Sequence, residues 1–195
     1  MLKNSFKIYY ALLLTLLVNN ASFAQTYIKG NFVEPLSNIA TTNLLPNSSR
    51  IDHSVAYTKL KEIYPTTLYK NASELIGEFW LIDGMLINII SNKISPNVKK
   101  LDLKAVNYGL SPKISRMKDT PVDMTRFNDY FYEIKVVKNS DVLISYFKTF
   151  PRGKTFIIQD KLGKYTVWGN IYAIKTDYTK AHNYINTLIN SITFK

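Results

Sequence analysis

Apolar and polar residues alternate from Tyr130 to Val136, and this is the clearest pattern in the chain. A period of two is typical of a β-strand with one buried face. A second apolar run, Val142 to Phe147, follows a short polar stretch, so the two runs together predict a β-hairpin. The apolar positions of the first run are Tyr130, Tyr132, Ile134 and Val136, with Glu133 and Lys135 between them.

The register of this hairpin depends on the length of its loop. A three-residue loop, Asn139 to Asp141, would place Val136 opposite Ile144, so that apolar residues share one face. A two-residue loop, Asn139-Ser140, would place Ile134 opposite Ser145 instead. We predict the three-residue loop, because a slip of one residue turns the apolar set towards water. The apolar face of the hairpin is then expected to support the last helix.

Further strands are predicted on both sides of the hairpin. Asp83-Gly84 separates two apolar runs, and Asp-Gly in that position is a strong hairpin signal. Phe156–Ile158 and Tyr165–Ile174 predict two more strands, which extend the hairpin into a four-strand meander. Gly169 inside the last of these strands predicts a bulge or a close approach of the backbone.

Three helices are predicted from capping signals. The first begins near Asp52 or Ser54, and the second begins at Ser95-Pro96 and ends at Gly109. The third is capped by Asp177 and carries an apolar stripe. These elements predict an α+β fold, in which helices pack on an antiparallel sheet of about five to seven strands. The residues of the stripe are Ala181, Tyr184, Ile185, Leu188, Ile189 and Ile192.

The first 24 residues have the three-part layout of a secretory signal peptide. Lys3 and Lys7 precede an apolar run that is too short to span a bilayer, and small residues surround Ala24. We expect cleavage near Ala24 and a soluble periplasmic or secreted protein, without a lipid anchor because the chain has no cysteine. The mature chain would comprise an irregular N-terminal arm, residues 25–49, and a single domain, residues 50–195.

The chain is strongly basic, and removal of the two leader lysines lowers its formal net charge only from +11 to +9. Such a surface favours anionic partners, among them acidic proteins, lipids and nucleic acid. The lysines are scattered, however, and Lys99-Lys100 is the one adjacent pair, so the excess fits a role in solubility equally well. We expect no nucleic-acid partner, since an exported protein rarely meets one.

Most catalytic signatures are missing from the sequence. There is no cysteine nucleophile, no Gly-x-Ser-x-Gly motif and no phosphate-binding glycine loop. Neither His53 nor His182 has a histidine or carboxylate at the spacing of a helical metal site, so we expect no metal or other cofactor. Carboxylate pairs that could support a hydrolase are Asp119 with Asp123 and Glu133 with Asp141.

The last third of the chain, VWGNIYAIKTDYTKAHNYINTLINSITFK, resembles the end of PsbP- and Mog1-like domains and of their DcrB-like exported relatives. The shared features are a long strand, a capped helix and an abrupt ending. The resemblance implies an antiparallel sheet between helices and a role in binding partners rather than in catalysis. It assigns no functional residue.

These observations predict a non-enzymatic envelope protein that binds a protein partner. In one specific form of this prediction it is an immunity or assembly factor that neutralises an acidic partner. A carboxylate-based hydrolase and a carrier of a small apolar ligand are the alternatives. The contact residues are expected in the long polar loop before the hairpin and in the turn Pro151 to Lys154, because function concentrates in such loops. They are Arg116, Lys118, Arg126, Arg152 and Lys154.

Overall fold

The computed structural model describes residues 32–63, 70–96, 99–110, 130–147, 153–174 and 176–195. Several sequence predictions lie outside these ranges. They are the signal peptide, the carboxylate pair Asp119 and Asp123, and the contact residues Arg116, Lys118, Arg126 and Arg152.

Across the described residues, an antiparallel sheet of eight strands dominates the fold. Its spatial order is β3-β4-β5-β9-β8-β7-β6, β1 pairs with the end of β5, and β2 pairs separately with β10. The predicted α+β class is confirmed, with more strands than expected. The strands are β1 (Phe32–Glu34), β2 (Ala40–Thr41), β3 (Arg50–Ile51), β4 (Glu78–Ile82), β5 (Met85–Lys93), β6 (Tyr130–Val137), β7 (Ser140–Phe147), β8 (Gly153–Gln159), β9 (Tyr165–Ala173) and β10 (Thr193–Phe194); the helices are α1 (Leu36–Ile39), α2 (His53–Ile63), α3 (Leu103–Leu110) and α4 (Tyr178–Ser191).

Helices cover both faces of the sheet, because alternate residues of the buried strands point to opposite sides. On the front face, α1 and α4 pack over the largest core cluster, to which α4 contributes Ile185 and Leu188 at 0% exposure. On the back face, α3 packs on a smaller cluster around Ile157, and α2 packs on another around Leu86. The meander β6–β9 is therefore a scaffold for α4 on one side and for α3 on the other.

The structure confirms several predictions that rest on local sequence signals. Asp83 and Gly84 form the two-residue β4–β5 turn with φ angles of 49° and 75°. Asp177 Oδ1 accepts a hydrogen bond from the Lys180 N–H at 2.8 Å and caps α4. At Gly169 the prediction of a close approach is confirmed, because a Cβ there would overlap the ring of Phe156. The pairing of β9 with β8 continues through Gly169 without a bulge.

Helix α3 begins later than predicted. It starts at Leu103, and the preceding Asp102 accepts a hydrogen bond from the Lys104 N–H at 2.9 Å, so Ser95 is not its cap. The backbone at Leu101 has another partner, the side-chain amide of the fully buried Gln159. In the amide orientation that satisfies both groups, Gln159 donates to the Leu101 carbonyl at 3.1 Å and accepts from its N–H at 2.9 Å. This buried pairing occupies the N–H and C=O groups that Leu101 would otherwise use for hydrogen bonds within a helix.

The predicted register of the β6–β7 hairpin is wrong, and so is the alternative. Val137 pairs with Ser140, and the turn consists of Lys138 and Asn139 with φ angles of 48° and 66°. Two consecutive positive φ angles match a turn of the primed type, whose twist fits the twist of the strands. The turn geometry therefore decided the register, and Ile134 lies opposite Leu143.

In this register, the two faces of β6 are also the reverse of those predicted. The even-numbered apolar residues lie on the back face, where Tyr132 is 57% and Val136 is 69% exposed. The prediction that these residues support α4 is therefore wrong. Val137 takes that role, since it packs against the front-face core cluster.

The predicted irregular arm contains ordered elements from residue 32 onwards. Leu36 and Ile39 of α1 are buried in the front-face core. The Lys195 N–H donates to the Ile39 carbonyl at 3.0 Å, beside the pairing of β10 with β2. The elements at the start of the described chain are thus hydrogen-bonded to its last residues.

Candidate functional site

Lys154 lies in β8, not in the predicted turn before it, and it points to the front face of the sheet. It shares that face with the core residues Phe156 and Ile158 of the same strand. Only 6% of Lys154 is exposed. The end of β8 therefore presents a buried cation rather than a mobile surface lysine.

Two side chains surround the amine of Lys154. His182 of α4 forms a hydrogen bond with Lys154 Nζ through its Nδ1. The ring of Tyr146, which lies opposite Lys154 in the β7–β8 pairing, has its centroid 4.3 Å from the amine. Tyr146 and His182 also meet edge to face, with ring centroids 5.9 Å apart. We call these three residues the Lys154 site.

The electrostatics of the Lys154 site are unusual because none of the described carboxylates forms an ion pair with this lysine. Burial lowers the pKa of Lys154 to about 8. The pKa of His182 is also lowered, first by burial and then by the charges of Lys154 and Lys135, against a smaller opposing effect of Glu133. Near neutral pH the lysine is therefore mostly charged, and a neutral His182 accepts its hydrogen bond.

A charged rim borders the site on β6. Lys135 Nζ lies 3.0 Å from Glu133 Oε2 and 3.4 Å from Asn186 Oδ1 of α4. Phe131 of the same strand stacks on Tyr146, with ring centroids 5.6 Å apart. The rim thus combines an aromatic surface with one balanced ion pair, while Lys154 has no carboxylate partner within the described ranges.

The structure separates the second carboxylate pair that sequence suggested. Glu133 points to the front face, where it binds Lys135, whereas Asp141 points to the back face and binds Lys100 at 2.6 Å. Two carboxylates on opposite faces of a sheet cannot act on one substrate bond, so the pairing of Glu133 with Asp141 was wrong. In the ranges the structure describes, no group of three or more metal-binding side chains occurs.

The sequence does not predict that His182 and Tyr146 contact Lys154. His182 follows Lys154 by 28 residues, and Tyr146 comes from another strand. One signal was available. Lys154 alternates with Phe156 and Ile158, so it occupies a core-facing position of its strand. A lysine in that position predicts a buried or half-buried amine, which is uncommon and a candidate for function.

No protein-family model, no curated protein and no solved structure matches the chain. In the part of the chain that the structure describes, every helix is too short or too polar to cross a lipid bilayer.

Proposed function

We propose that the protein is an exported, non-enzymatic binding protein of the cell envelope, and that the Lys154 site receives a carboxylate of an acidic protein partner. The observation that carries this proposal is a lysine only 6% exposed that has a histidine and an aromatic ring, but no described carboxylate, around its amine. The predicted leader supports export.

The physical reason is the cost of a buried charge that has no carboxylate partner in the part of the chain that the structure describes. Burial has already removed part of the water around the amine of Lys154, and this makes the charge of the amine unfavourable in the free protein. A carboxylate that binds beside it would restore a charge-assisted hydrogen bond, and the pKa of Lys154 would rise on binding. The nearby aromatic surface of Tyr146 and Phe131 suits the apolar parts of a protein partner.

The lowered pKa of Lys154 also favours a second function, an enzyme that uses this amine as a base or nucleophile. The two functions differ in the protonation state that they need. Binding of a carboxylate needs the charged amine and should weaken above about pH 8, whereas a lysine-based reaction needs the neutral amine and should accelerate there. The carrier function receives less support, because Phe156, Ile185 and Leu188 fill the space under α4 at 0% exposure.

The first experiment is a pull-down from envelope extracts of the source cells with the protein, Lys154→Met and Lys161→Met. Lys161 lies in an exposed turn, so its variant loses the same charge away from the site. We expect a partner that is retained by the protein and by Lys161→Met, lost with Lys154→Met, and released by high salt. Equal retention by both variants would refute a role for the site.

A defined ligand tests the chemistry directly. We expect calorimetry to detect binding of a hexaglutamate peptide at pH 7, about tenfold weaker binding at pH 9.5, and a comparable loss in Lys154→Met at pH 7. Binding that grows stronger at pH 9.5 would contradict the proposal.

A further inference from the structure

The eight-residue strand β6 forms one edge of the sheet, and among the described residues no strand pairs with its outer side. The opposite edge ends in β3, which has only two residues. A long open edge presents unpaired backbone groups to another strand, while a very short one offers little. The sheet can therefore be extended at β6.

The hairpin register shows which backbone groups point outwards. In a hairpin with a two-residue turn, the residues that flank the turn exchange hydrogen bonds, here Val137 and Ser140. The odd-numbered residues of β6, counted back from Val137, therefore form the hydrogen bonds to β7. The residues between them, Tyr132, Ile134 and Val136, direct their N–H and C=O groups away from the sheet. Their side chains are 57%, 37% and 69% exposed.

We propose that a second copy of this chain pairs with β6, antiparallel and about a two-fold axis through Ile134. Ile134 then faces Ile134 of the second copy, and Tyr132 faces Val136 of the second copy. The outward backbone groups of both strands meet in this arrangement, as an antiparallel ladder requires. The exposed apolar side chains form a continuous row on the back face.

The charges of β6 favour this one register. On the front face, Glu133 lies opposite Lys135 of the second copy, and the symmetry repeats this ion pair. The outward backbone groups would also allow an axis through Tyr132 or Val136, but these axes place Glu133 opposite Phe131 or Asn139 and leave the glutamate without a lysine across the interface. Each free chain has one Glu133–Lys135 pair, at 3.0 Å, and in the dimer these two pairs within chains are replaced by two pairs between chains.

The balance of charges also favours a second copy over the acidic partner of the Lys154 site. Glu133 and Lys135 give the edge no net charge, whereas an acidic strand would face Glu133 with a like charge. A closed two-fold dimer satisfies both charges and leaves no further open copy of this edge. The inference is independent of the proposed function.

Charge reversal in trans tests the register. We expect sedimentation to show a monomer–dimer equilibrium for the protein and at least tenfold weaker association for Glu133→Lys and for Lys135→Glu alone. An equimolar mixture of these two variants should form a one-to-one heterodimer, because each lysine then meets a glutamate. The double variant with both reversals should dimerise like the original protein.

The controls separate the interface from the fold. Both single variants break the pair within the chain, so only a pairing between chains explains recovery in the mixture. Ile134→Pro removes an outward N–H, which an edge strand tolerates, and should abolish the dimer while circular dichroism stays unchanged. A protein that remains monomeric at about 1 mM, near the limit of weak specific association, or single variants that dimerise like the original, would overturn the proposal.

Discussion

At the scale of single residues, Lys154 makes the protein less stable than it could be. Its pKa is about 8 in the folded protein and higher in the unfolded chain, so the unfolded state binds more protons between these values. Stability should therefore rise as pH increases from about 8 to about 10, and the full penalty remains below pH 8. We expect Lys154→Met to raise the free energy of unfolding at pH 7 by about 1 kcal/mol and to remove this rise.

Urea unfolding at pH 7 and at pH 9.5 measures both effects. Lys161→Met is the matched control, because that lysine lies in the exposed turn after β8, and it should change neither the stability nor its pH dependence. A variant at Lys154 that is more stable but no longer binds the acidic partner would show that the site exchanges stability for function. A loss of stability at pH 7 would contradict the argument from burial.

Gly169 is needed because its neighbour on β8 occupies the space of a side chain. A Cβ at this position would overlap the ring of Phe156, which is 0% exposed and cannot turn into water. We expect Gly169→Ala to destabilise the protein by about 1–3 kcal/mol, the usual cost of overpacking a core.

A double-mutant cycle with Phe156→Leu isolates this contact. The smaller side chain should recover part of the loss, so that the two variants together cost less than the sum of their separate effects in urea unfolding. Additive effects would mean that the glycine is required for another reason.

At the scale of elements, the β6–β7 turn is less favourable than the β4–β5 turn. Lys138 adopts a φ angle of 48°, which a lysine seldom takes, whereas the β4–β5 turn has Asp83-Gly84, one of the best pairs for this geometry. We expect Lys138→Asn combined with Asn139→Gly to raise the free energy of unfolding by about 0.5–1 kcal/mol, as measured by urea unfolding.

The reverse change tests the same reasoning. Gly84→Ala places a side chain at a φ angle of 75° and should destabilise the protein by about 1 kcal/mol. If the new Asn-Gly turn has no effect while Gly84→Ala does, the hairpin β6–β7 is not limited by its turn.

These two turns also show how far the sequence predicts the fold. Asp83-Gly84 carries the conformational preference of its turn in its own residues, so the sequence predicts this hairpin. Lys138-Asn139 carries no comparable signal, and the alternating pattern of β6 indicated a strand without showing which face is buried. An edge strand can expose apolar residues, as Tyr132 and Val136 do, and this depends on neighbours that the pattern does not contain.

The candidate site was harder to predict than the strands. The sequence predicts Lys154 as a contact residue only through its position near a turn, whereas its burial follows from the register of β8 and from the position of α4. His182 approaches it only because the apolar stripe of α4 packs over the front face. Such a contact between distant elements is a property of tertiary packing rather than of local sequence.

At the scale of the whole molecule, residues 193–195 connect the first described elements to the main sheet. The strand β10 pairs with β2, Phe194 stacks on Tyr165 of the main sheet with ring centroids 6.4 Å apart, and Lys195 Nζ donates to the Ser37 carbonyl at 2.5 Å. The buried residues of α1 join the same core as α4. The described N-terminal elements should therefore unfold together with the sheet rather than as a separate arm.

Deletion of residues 193–195 tests how much these contacts stabilise the fold. It removes all contacts of β10 and should lower the free energy of unfolding by about 1–3 kcal/mol, with a single transition in urea. The fluorescence of Trp80 and Trp168 reports on the sheet, and far-ultraviolet circular dichroism reports on all elements, so coincident curves would establish one cooperative unit. Replacement of Lys195 by methionine is the milder control and should cost less, because the backbone pairing remains. An unchanged midpoint after the deletion would show that β10 contributes nothing to the stability of the fold.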